Sequence, residues 1–256
     1  MVVVTEHFNS SFLPKHIDRL LDVGCKDAAQ SELFAIRAHQ TFAIDPDLAS
    51  LIANAPVRRH IHLAAAVAEA LPFPDESFDC VTLMGVLEHI DVGNERRALE
   101  EIHRVLRPGG TFVIQVPHAG LFDFLDPLNF KLRFPLLVSW YYRWSGKSSH
   151  YFELFKQKNP SYRNISFYRL LKESPELLRH RHYTLSGLSN LMEGLFTIER
   201  VHRGGFFLLP LVDCVFNLTA KMFGVAFHFL LRVGDWERRR DFGRFAYDMI
   251  VGARKR

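Results

Sequence analysis

Short apolar runs alternate with amphipathic stretches through the first half of the chain. Runs of this length suit strands that are buried on both faces, as in a parallel sheet. They lie at Arg19–Val23, Thr41–Ile44, His60–Ala64, Phe78–Met84 and Thr111–Val116. Between them, Ala28–Ala38 and Asn94–Leu106 carry apolar residues at helical spacing and predict helices. Strands and helices that alternate in this way predict βαβ units with right-handed crossovers.

Turn residues and two later apolar runs predict the remaining elements. Asp47 predicts the cap of a helix that runs to about Asn54. The Arg-Pro-Gly-Gly sequence at residues 107–110 predicts the end of the helix that begins at Asn94, because proline cannot continue a helix and glycine supplies a left-handed cap. The set is completed by a helix over Ser186–Glu193 and strands over Phe196–His202 and Phe245–Ala253.

The predicted fold class is α/β, a Rossmann-like, doubly wound, mostly parallel seven-stranded sheet with helices on both faces. We expect residues 1–256 to form a single domain with two insertions. The first, residues 120–181, is rich in aromatic side chains, and the second, residues 204–240, separates the last two strands. Ligands of such sheets bind beyond the carboxyl ends of the strands, so chemistry is expected in the loops that follow the strands.

Charge divides the chain into an acidic first part and a basic second part. Residues 1–119 hold 10 Lys and Arg against 16 Asp and Glu, a net charge of −6, whereas residues 120–256 hold 22 against 12, a net charge of +10. A basic half indicates an anionic partner such as a membrane surface, a phosphorylated substrate or nucleic acid, with an ordinary solvated surface as the alternative.

The three cysteines, Cys25, Cys80 and Cys214, are too few and too widely spaced for a disulfide framework or a metal site. We therefore expect buried thiols, a reducing compartment and no bound metal. The first residues, MVVVTEHFNSS, lack a basic start followed by a long apolar run, which predicts that there is no signal peptide. The expected location is the cytoplasm, with peripheral attachment to the inner face of the membrane as a further alternative.

A turn containing Gly24 follows the first predicted strand. Residues 22–28 read Asp-Val-Gly-Cys-Lys-Asp-Ala and resemble the D-x-G-x-G-x-G turn of class I S-adenosylmethionine-dependent methyltransferases. Lys26 and Ala28 stand in the place of the second and third glycines. The resemblance extends from about residue 20 to residue 117 and over the last strands. It implies that Asp22, Gly24, Cys25 and Lys26 contact S-adenosyl-L-methionine, and the turn can still bind the cofactor if Lys26 takes a negative φ with its side chain pointing outward.

Two further segments carry the resemblance. Asp45, followed by Pro46, matches the acidic residue that accepts hydrogen bonds from the ribose hydroxyls in this family, with a helix cap as the alternative. Residues 68–73, Ala-Glu-Ala-Leu-Pro-Phe, match the family's adenine loop, D-A-E-x-L-P-F, with Val67 at the position of the Asp. The resemblance places Ala68 and Glu69 at the cofactor, and the missing side-chain hydrogen bond at position 67 is expected to cost about 1 kcal/mol of binding.

The end of the fourth strand supplies candidate catalytic groups. By resemblance, Met84 and Gly85 lie under the methionine portion of the cofactor, and an exposed Glu88-His89 pair follows at the mouth of the site. An imidazole titrates near neutral pH and can take a proton. We therefore predict His89, and His118 just beyond the fifth strand, as catalytic residues, with a structural role as the alternative for each. His150 and the cluster His180-Arg181-His182-Tyr183 are further candidate bases.

A narrow polar stripe runs through the second insertion. Its positions are separated by three or four residues, which predicts a helix over Val212–Val233 whose other faces are apolar. The stripe consists of Asp213, Asn217, Lys221, Gly224, His228 and Arg232. Such a helix is too interrupted by charge to span a membrane, and it fits a membrane interface. A helical cap over the substrate site and a homodimer interface are the alternatives.

The sequence predicts methyl transfer from S-adenosyl-L-methionine to oxygen, nitrogen or carbon of a small, lipidic or lipid-linked acceptor, such as a glycan on a lipid carrier. The alternative is a binding protein that kept the fold and lost tight cofactor binding, a reading favoured by Lys26, Ala28 and Val67. No nucleic-acid partner is expected, because MGVLEHI replaces the Asn/Asp-Pro-Pro-aromatic run common in base-flipping enzymes. A nicotinamide dehydrogenase needs G-x-G-x-x-G after the first strand, which the Gly24 turn lacks.

Overall fold

The computed structural model describes four continuous segments of the chain, residues 11–47, 60–121, 181–205 and 239–256. Isolated described residues are 49, 51, 123, 136, 140, 164, 166, 169, 236 and 237. The chain divides into two compact units, one made of residues 1–122 and 181–256 and the other of residues 123–180. The elements below belong to the first unit.

Seven strands form one sheet in the described part of the chain. In chain order they are β1 (Ile17–Val23), β2 (Ala38–Asp45), β3 (Ile61–Ala65), β4 (Phe78–Met84), β5 (Leu106–Pro117), β6 (Phe196–Gly204) and β7 (Asp248–Lys255). Their order across the sheet is β3-β2-β1-β4-β5-β7-β6, and β7 runs antiparallel to both of its neighbours while the other pairs are parallel. The chain therefore winds outward in one direction from β1 and in the other from β4. A crevice for a ligand is expected between these two strands.

Helices cover both faces of the sheet, because successive strand residues point to opposite sides. On one face, side chains such as Leu21, Val81 and Phe112 form a core with α2 (Glu95–Val105) and α3 (Leu185–Met192). On the other face, a second core includes Leu20 and Val113, together with Phe34 of α1 (Ala29–Ala35) and Phe12 and Leu13 from the segment before β1. The predicted seven-stranded, doubly wound α/β fold is confirmed.

Most predicted elements lie where expected, but several of their ends do not. The helix predicted over Ala28–Ala38 ends at Ala35, and Ala38 already belongs to β2. Residues 107–110 do not cap α2, because Leu106 at its C-terminal end is already extended and belongs to β5. Gly109 is left-handed, with a φ of 70°, but within an irregular part of the β4–β5 pairing rather than at a helix end. The last strand begins at Asp248 rather than Phe245, which belongs to the short 3-10 helix Gly243–Phe245.

Several predictions fall on other parts of the chain. The helix expected after Asp47, most of the insertions 120–181 and 204–240, the helix Val212–Val233, His150 and Cys214 lie outside the described residues. No helix in the four continuous segments is long and apolar enough to cross a membrane.

Candidate functional site

The buried carboxylate of Asp22 lies at the centre of the crevice between β1 and β4. It accepts hydrogen bonds from the Thr82 hydroxyl at 2.6 Å and from the Ser31 hydroxyl at 2.5 Å. Thr82 is the register partner of Asp22 on β4, and Ser31 lies on α1. Burial raises the pKa of Asp22 to about 6, against the lowering effect of the two hydroxyls. The carboxylate therefore joins two strands and a helix directly behind the turn that follows β1.

The turn after β1 begins at Gly24, which has a φ of 78°. A Cβ at this position would lie 2.2 Å from the Cγ2 atom of Val86 in the loop after β4, so only glycine lets the two loops approach. The backbone N–H groups of Gly24 and Cys25 both donate to the carbonyl oxygen of Ile44 at the end of β2. The carboxyl ends of β1, β2 and β4 are thus brought together around this turn.

Lys26 and Ala28 adopt the left-handed backbone conformation that glycine favours. Their φ angles are 52° and 56°, so positive values occur at positions 24, 26 and 28, all three places where the family turn has glycine. Lys26 therefore has a positive φ rather than the negative one that would spare a residue with a Cβ from strain. The side chain of Lys26 is exposed, whereas the methyl group of Ala28 is fully buried. Both residues thus keep a backbone conformation that glycine adopts without strain.

Hydrogen bonds from neighbouring residues hold this strained turn. The Lys26 N–H donates to Oδ2 of Asp45 at 2.8 Å, and the Ala28 N–H donates to the Cys25 carbonyl oxygen at 2.7 Å. The other Asp45 oxygen accepts from the Asp47 N–H at 2.8 Å. A carboxylate has about four acceptor positions, so Asp45 retains capacity for the two hydroxyls of a ribose. Its hydrogen bonds to the backbone are therefore compatible with a role as ribose ligand.

The predicted adenine loop presents its residues in different directions. Val67 is 45% exposed and offers an apolar surface, whereas Ala68 is buried in the core on the α2 side of the sheet. Glu69 lines a surface cleft of about 430 Å³ whose other walls come from Ala70 and from Arg97, Glu100, Glu101 and Arg104 of α2. The structure thus groups Glu69 with the arginines of α2 rather than with the ends of β1 and β2.

An arginine on α2 holds the continuation of the adenine loop. The guanidinium of Arg104 donates to the carbonyl oxygens of Leu71 at 3.0 Å and Phe73 at 2.8 Å, and it pairs with Glu101 and Asp75. Glu101 in turn accepts from the Leu71 N–H at 2.8 Å, and the Arg104 hydrogen bonds lower the pKa of Glu101. The loop is therefore held through its backbone, independently of the side chain at position 67.

The loop after β4 carries the predicted residues Met84, Gly85, Glu88 and His89. Gly85 is left-handed, with a φ of 65°, and its N–H donates to the Gln115 carbonyl oxygen on β5 at 3.0 Å. Residues Leu87–His89 form a 3-10 helix that points Leu87 and Glu88 into the protein. Glu88 is 7% exposed, so the expected exposure of the Glu88-His89 pair is wrong for the glutamate, while His89 is exposed.

His118 is buried just beyond β5, with a fixed tautomer. Its Nδ1 atom lies 3.1 Å from the Tyr183 carbonyl oxygen, which can only accept, so Nδ1 carries the proton and Nε2 keeps its lone pair. Burial lowers the pKa of His118, which keeps the imidazole neutral at pH 7. Burial also raises the pKa of the Tyr183 phenol to about 12, so Tyr183 of the predicted base cluster stays protonated.

Sequence reasoning missed several residues that shape this end of the sheet. Thr82 interrupts an apolar strand, and a polar residue at such a position is a signal for a buried hydrogen bond. Glu101 and Arg104 are three apart on a helix, which indicates a side-chain pair. The sequence indicates Arg181 only as part of a base cluster, whereas its guanidinium contacts the loop after β4.

Known proteins resemble this chain most clearly over its first half. The sequence profile of a family described as a methyltransferase domain matches residues 21–114. Demethylmenaquinone methyltransferase of Renibacterium salmoninarum is 36% identical over 96 residues, which are 38% of this chain and 40% of that protein. The chain thus spans about two fifths of the length of this curated relative.

Solved structures share the fold over the whole chain. An S-adenosylmethionine-dependent methyltransferase from Mesorhizobium loti has a TM-score of 0.56 at 17% identity, with 98% of both chains covered. The 1,6-didemethyltoxoflavin-N1-methyltransferase of Burkholderia thailandensis, solved with 1,6-didemethyltoxoflavin and S-adenosylhomocysteine bound, has a TM-score of 0.54 at 15% identity. The superposition covers 77% of the Burkholderia protein and 99% of this chain. At these identities the likeness establishes the fold.

Replacement of Lys26 by glycine is expected to stabilise the protein. A left-handed backbone costs a residue with a Cβ about 1–2 kcal/mol, and the greater freedom of glycine in the unfolded chain offsets roughly half of the gain. Lys26→Gly should therefore raise the free energy of unfolding in urea by about 0.5–1 kcal/mol. Lys26→Ala removes the charge but keeps the Cβ, and it should bring no comparable gain. If both variants were stabilised equally, the charge of the Lys26 side chain, and not its left-handed backbone, would be the source of the destabilisation.

Asp22→Asn is expected to change how stability depends on pH. The native pKa is raised to about 6 from an ordinary value of 3.8, so between these values the native state holds a proton that the unfolded chain has lost. Asp22 thus contributes its full stabilising free energy below the lower of these two pH values. This contribution, on the order of 3 kcal/mol, is lost as the pH rises through the higher value.

Urea unfolding across this pH interval measures the effect. The difference in unfolding free energy between Asp22→Asn and wild type should grow as the pH rises, because the variant has no proton to lose. Asp18→Asn, at an exposed carboxylate on the same strand, is the control and should follow the wild type. A constant difference between Asp22→Asn and wild type would contradict the prediction.

Proposed function

We propose that the protein, whose residues 21–114 match a family described as a methyltransferase domain, is a class I methyltransferase that transfers a methyl group from S-adenosylmethionine to a small, lipidic or lipid-linked acceptor. The observation that carries the proposal is the turn after β1. It keeps left-handed backbone at positions 24, 26 and 28 although only the first is glycine. The surrounding residues hold this strain of about 1 kcal/mol or more at each substituted position, and strained backbone of this kind clusters at ligand sites.

The residues around the turn suit the parts of the cofactor. We assign the backbone of residues 24–26 and Gly85 to the methionine portion, where Gly85 places no Cβ in the way of a ligand. The Asp45 carboxylate suits the ribose hydroxyls, since it can accept from both. The exposed Val67 side chain and the backbone at Ala68 are assigned to the adenine. Asp22, whose carboxylate is hydrogen-bonded within the protein, supports the turn from behind.

The chemistry needs alignment and the removal of one proton. S-adenosylmethionine supplies a methyl group on a positively charged sulfur, which keeps the electron pair of the broken C–S bond as the acceptor atom forms the new one. We assign proton removal to His118, whose neutral ring keeps a lone pair on Nε2, or to the exposed His89. Tyr183 serves as a hydrogen-bond donor to Leu87 rather than as a base.

A lipidic acceptor at a membrane surface is supported by three observations. The relative from Renibacterium salmoninarum is named for demethylmenaquinone. The sequence of residues 212–233 has the polar stripe of an interfacial helix. Near its end, Trp236 is 50% exposed, with the guanidinium carbon of Arg240 4.5 Å from its ring centroid. An exposed aromatic ring beside a guanidinium is the combination favoured at the level of lipid headgroups.

A binding protein without methyl transfer is the second candidate. Lys26 places a positive charge beside the turn to which a cationic cofactor must bind, and Val67 cannot make the hydrogen bond that the family Asp makes with adenine. These two substitutions favour weaker cofactor binding, by about fivefold for the lost hydrogen bond alone. Titration of the protein with S-adenosylmethionine decides between the methyltransferase and the binding protein.

Isothermal titration calorimetry with S-adenosylmethionine and S-adenosylhomocysteine tests the proposed function. The wild-type protein should bind both, and Asp45→Ala should weaken binding by roughly tenfold to a hundredfold, because charge-assisted hydrogen bonds contribute about 1.5–3 kcal/mol. Asp18→Ala removes an exposed carboxylate from the opposite end of β1 and should bind as the wild type does. Absence of binding at millimolar ligand would rule out the methyltransferase and leave the second candidate.

Transfer of a labelled methyl group into lipid tests the acceptor. With methyl-labelled S-adenosylmethionine and vesicles made from a membrane lipid extract, the label should appear in the organic phase. The double variant Trp236→Ala/Arg240→Ala should lower this transfer and vesicle flotation together, because it removes the aromatic-basic pair. Ile36→Ala removes a side chain that is 82% exposed just before β2 and should leave both unchanged. Label that stays in the aqueous phase would argue against a lipidic acceptor.

A further inference from the structure

We propose that Arg181 is a positioning residue that holds the loop after β4 in the conformation needed at the cofactor end of the sheet. Its guanidinium donates to the carbonyl oxygens of Leu87 at 2.9 Å and Glu88 at 3.3 Å, and also to that of Ile90. It pairs with Glu95 at 2.5 Å, and both side chains are largely buried, with exposed fractions of 20% and 12%. The inference deepens the proposed function and rests on it for the identity of the ligand.

The contacts of Arg181 are made where the loop has few backbone partners of its own. The 3-10 helix Leu87–His89 is three residues long, and the chain is already extended at Ile90. The Leu87 carbonyl oxygen accepts from the Ile90 N–H at 3.3 Å, and the helix has no further turn whose N–H groups could bond to the carbonyl groups that follow. One planar guanidinium with five donors reaches three of them and a carboxylate at once, which the single ammonium of lysine cannot do. Arginine is therefore the side chain that this loop requires.

The residues next to Arg181 tie the same loop to β5. Tyr183 donates its N–H to the Pro117 carbonyl oxygen at 2.8 Å, and its carbonyl oxygen accepts from the Ala119 N–H at 2.9 Å. Its hydroxyl donates to the Leu87 carbonyl oxygen at 3.1 Å. The Leu87 carbonyl oxygen therefore accepts hydrogen bonds from both Tyr183 and Arg181. Residues 181–183 thus form a strap across the carboxyl ends of β4 and β5.

The position of this loop decides the geometry of the candidate site. Val86 immediately precedes the 3-10 helix and lies against Gly24 in the turn after β1, and His89 is its last residue. A loop released from the guanidinium would free Val86 to move away from Gly24 and would leave His89 without a fixed position. Arg181 therefore acts on the cofactor end through the loop and needs no contact with the ligand.

Hydrogen–deuterium exchange and calorimetry on Arg181→Lys test the proposal. In the unliganded protein, exchange of the peptide over residues 84–92 should rise about tenfold, because the carbonyl anchors of the loop are lost. Affinity for S-adenosylhomocysteine should fall by about tenfold. Arg181→Ala should show the same pattern at least as strongly.

Arg96→Lys is the matched control, because Arg96 is built in the same way at another place. Its guanidinium donates to the carbonyl oxygens of Leu191 and Glu193, both at 2.8 Å, and pairs with Glu100 at 3.0 Å. Arg96→Lys and Arg181→Lys should both lower the thermal midpoint of unfolding. In Arg96→Lys, however, exchange of residues 84–92 and the affinity for S-adenosylhomocysteine should stay as in the wild type.

The possible results separate the role of Arg181 from the proposed function. Unchanged exchange of the loop in Arg181→Lys, or an equal rise in Arg96→Lys, would overturn the proposal. A looser loop with undiminished affinity would likewise overturn a role toward the cofactor. If the wild-type protein binds no S-adenosylhomocysteine, the proposed function fails, and exchange in the unliganded protein still decides whether Arg181 holds the loop.

Discussion

The buried carboxylate of Asp22 is the interaction on which the arrangement of this end of the sheet depends. A charged group with so little exposure is tolerated only when its oxygens are hydrogen-bonded. Thr82 on β4 and Ser31 on α1 supply these bonds. The carboxylate is therefore fully hydrogen-bonded only when β4 is paired in its native register with β1 and α1 packs in its native position. The turn at Gly24 and the loop at Val86 begin two to four residues further on. Their close approach therefore follows from the geometry that the carboxylate requires.

The turn after β1 shows why residue identity and backbone conformation must be argued separately. Lys26 and Ala28 indicate a departure from the family turn, since residues with a Cβ avoid positive φ. The conformation nevertheless persists, because the Lys26 N–H is held by Asp45 and the Ala28 methyl group is buried beside Cys25 and Ala43. Such contacts come from residues distant in sequence and outweigh a local preference of about 1 kcal/mol. A glycine pattern thus underestimates how well a turn is kept when its neighbours hold it.

The sheet was predictable from the sequence because buried parallel strands are continuous apolar runs, and β4 was predicted at its observed bounds. The start of β5 was not, since its first residues include Pro108 and two glycines, which ordinarily end an element. Glu88 was expected at the surface because a carboxylate after a strand is usually solvated, whereas the 3-10 helix rotates it inward. Contacts such as Arg181 with Leu87 join residues that are 94 positions apart, and no local pattern reports them.

Both loops at the mouth of the crevice are held by the same physical device. Loops beyond the ends of parallel strands have carbonyl groups without strand partners, and those groups are costly to bury without a donor. Arg104 with Glu101 satisfies the loop after β3, and Arg181 with Glu95 satisfies the loop after β4. Because these arginines bond to backbone oxygens, the loops keep their shape whatever side chains they carry. The loop after β3 is therefore held with Val67 at the position where the family has an acidic residue.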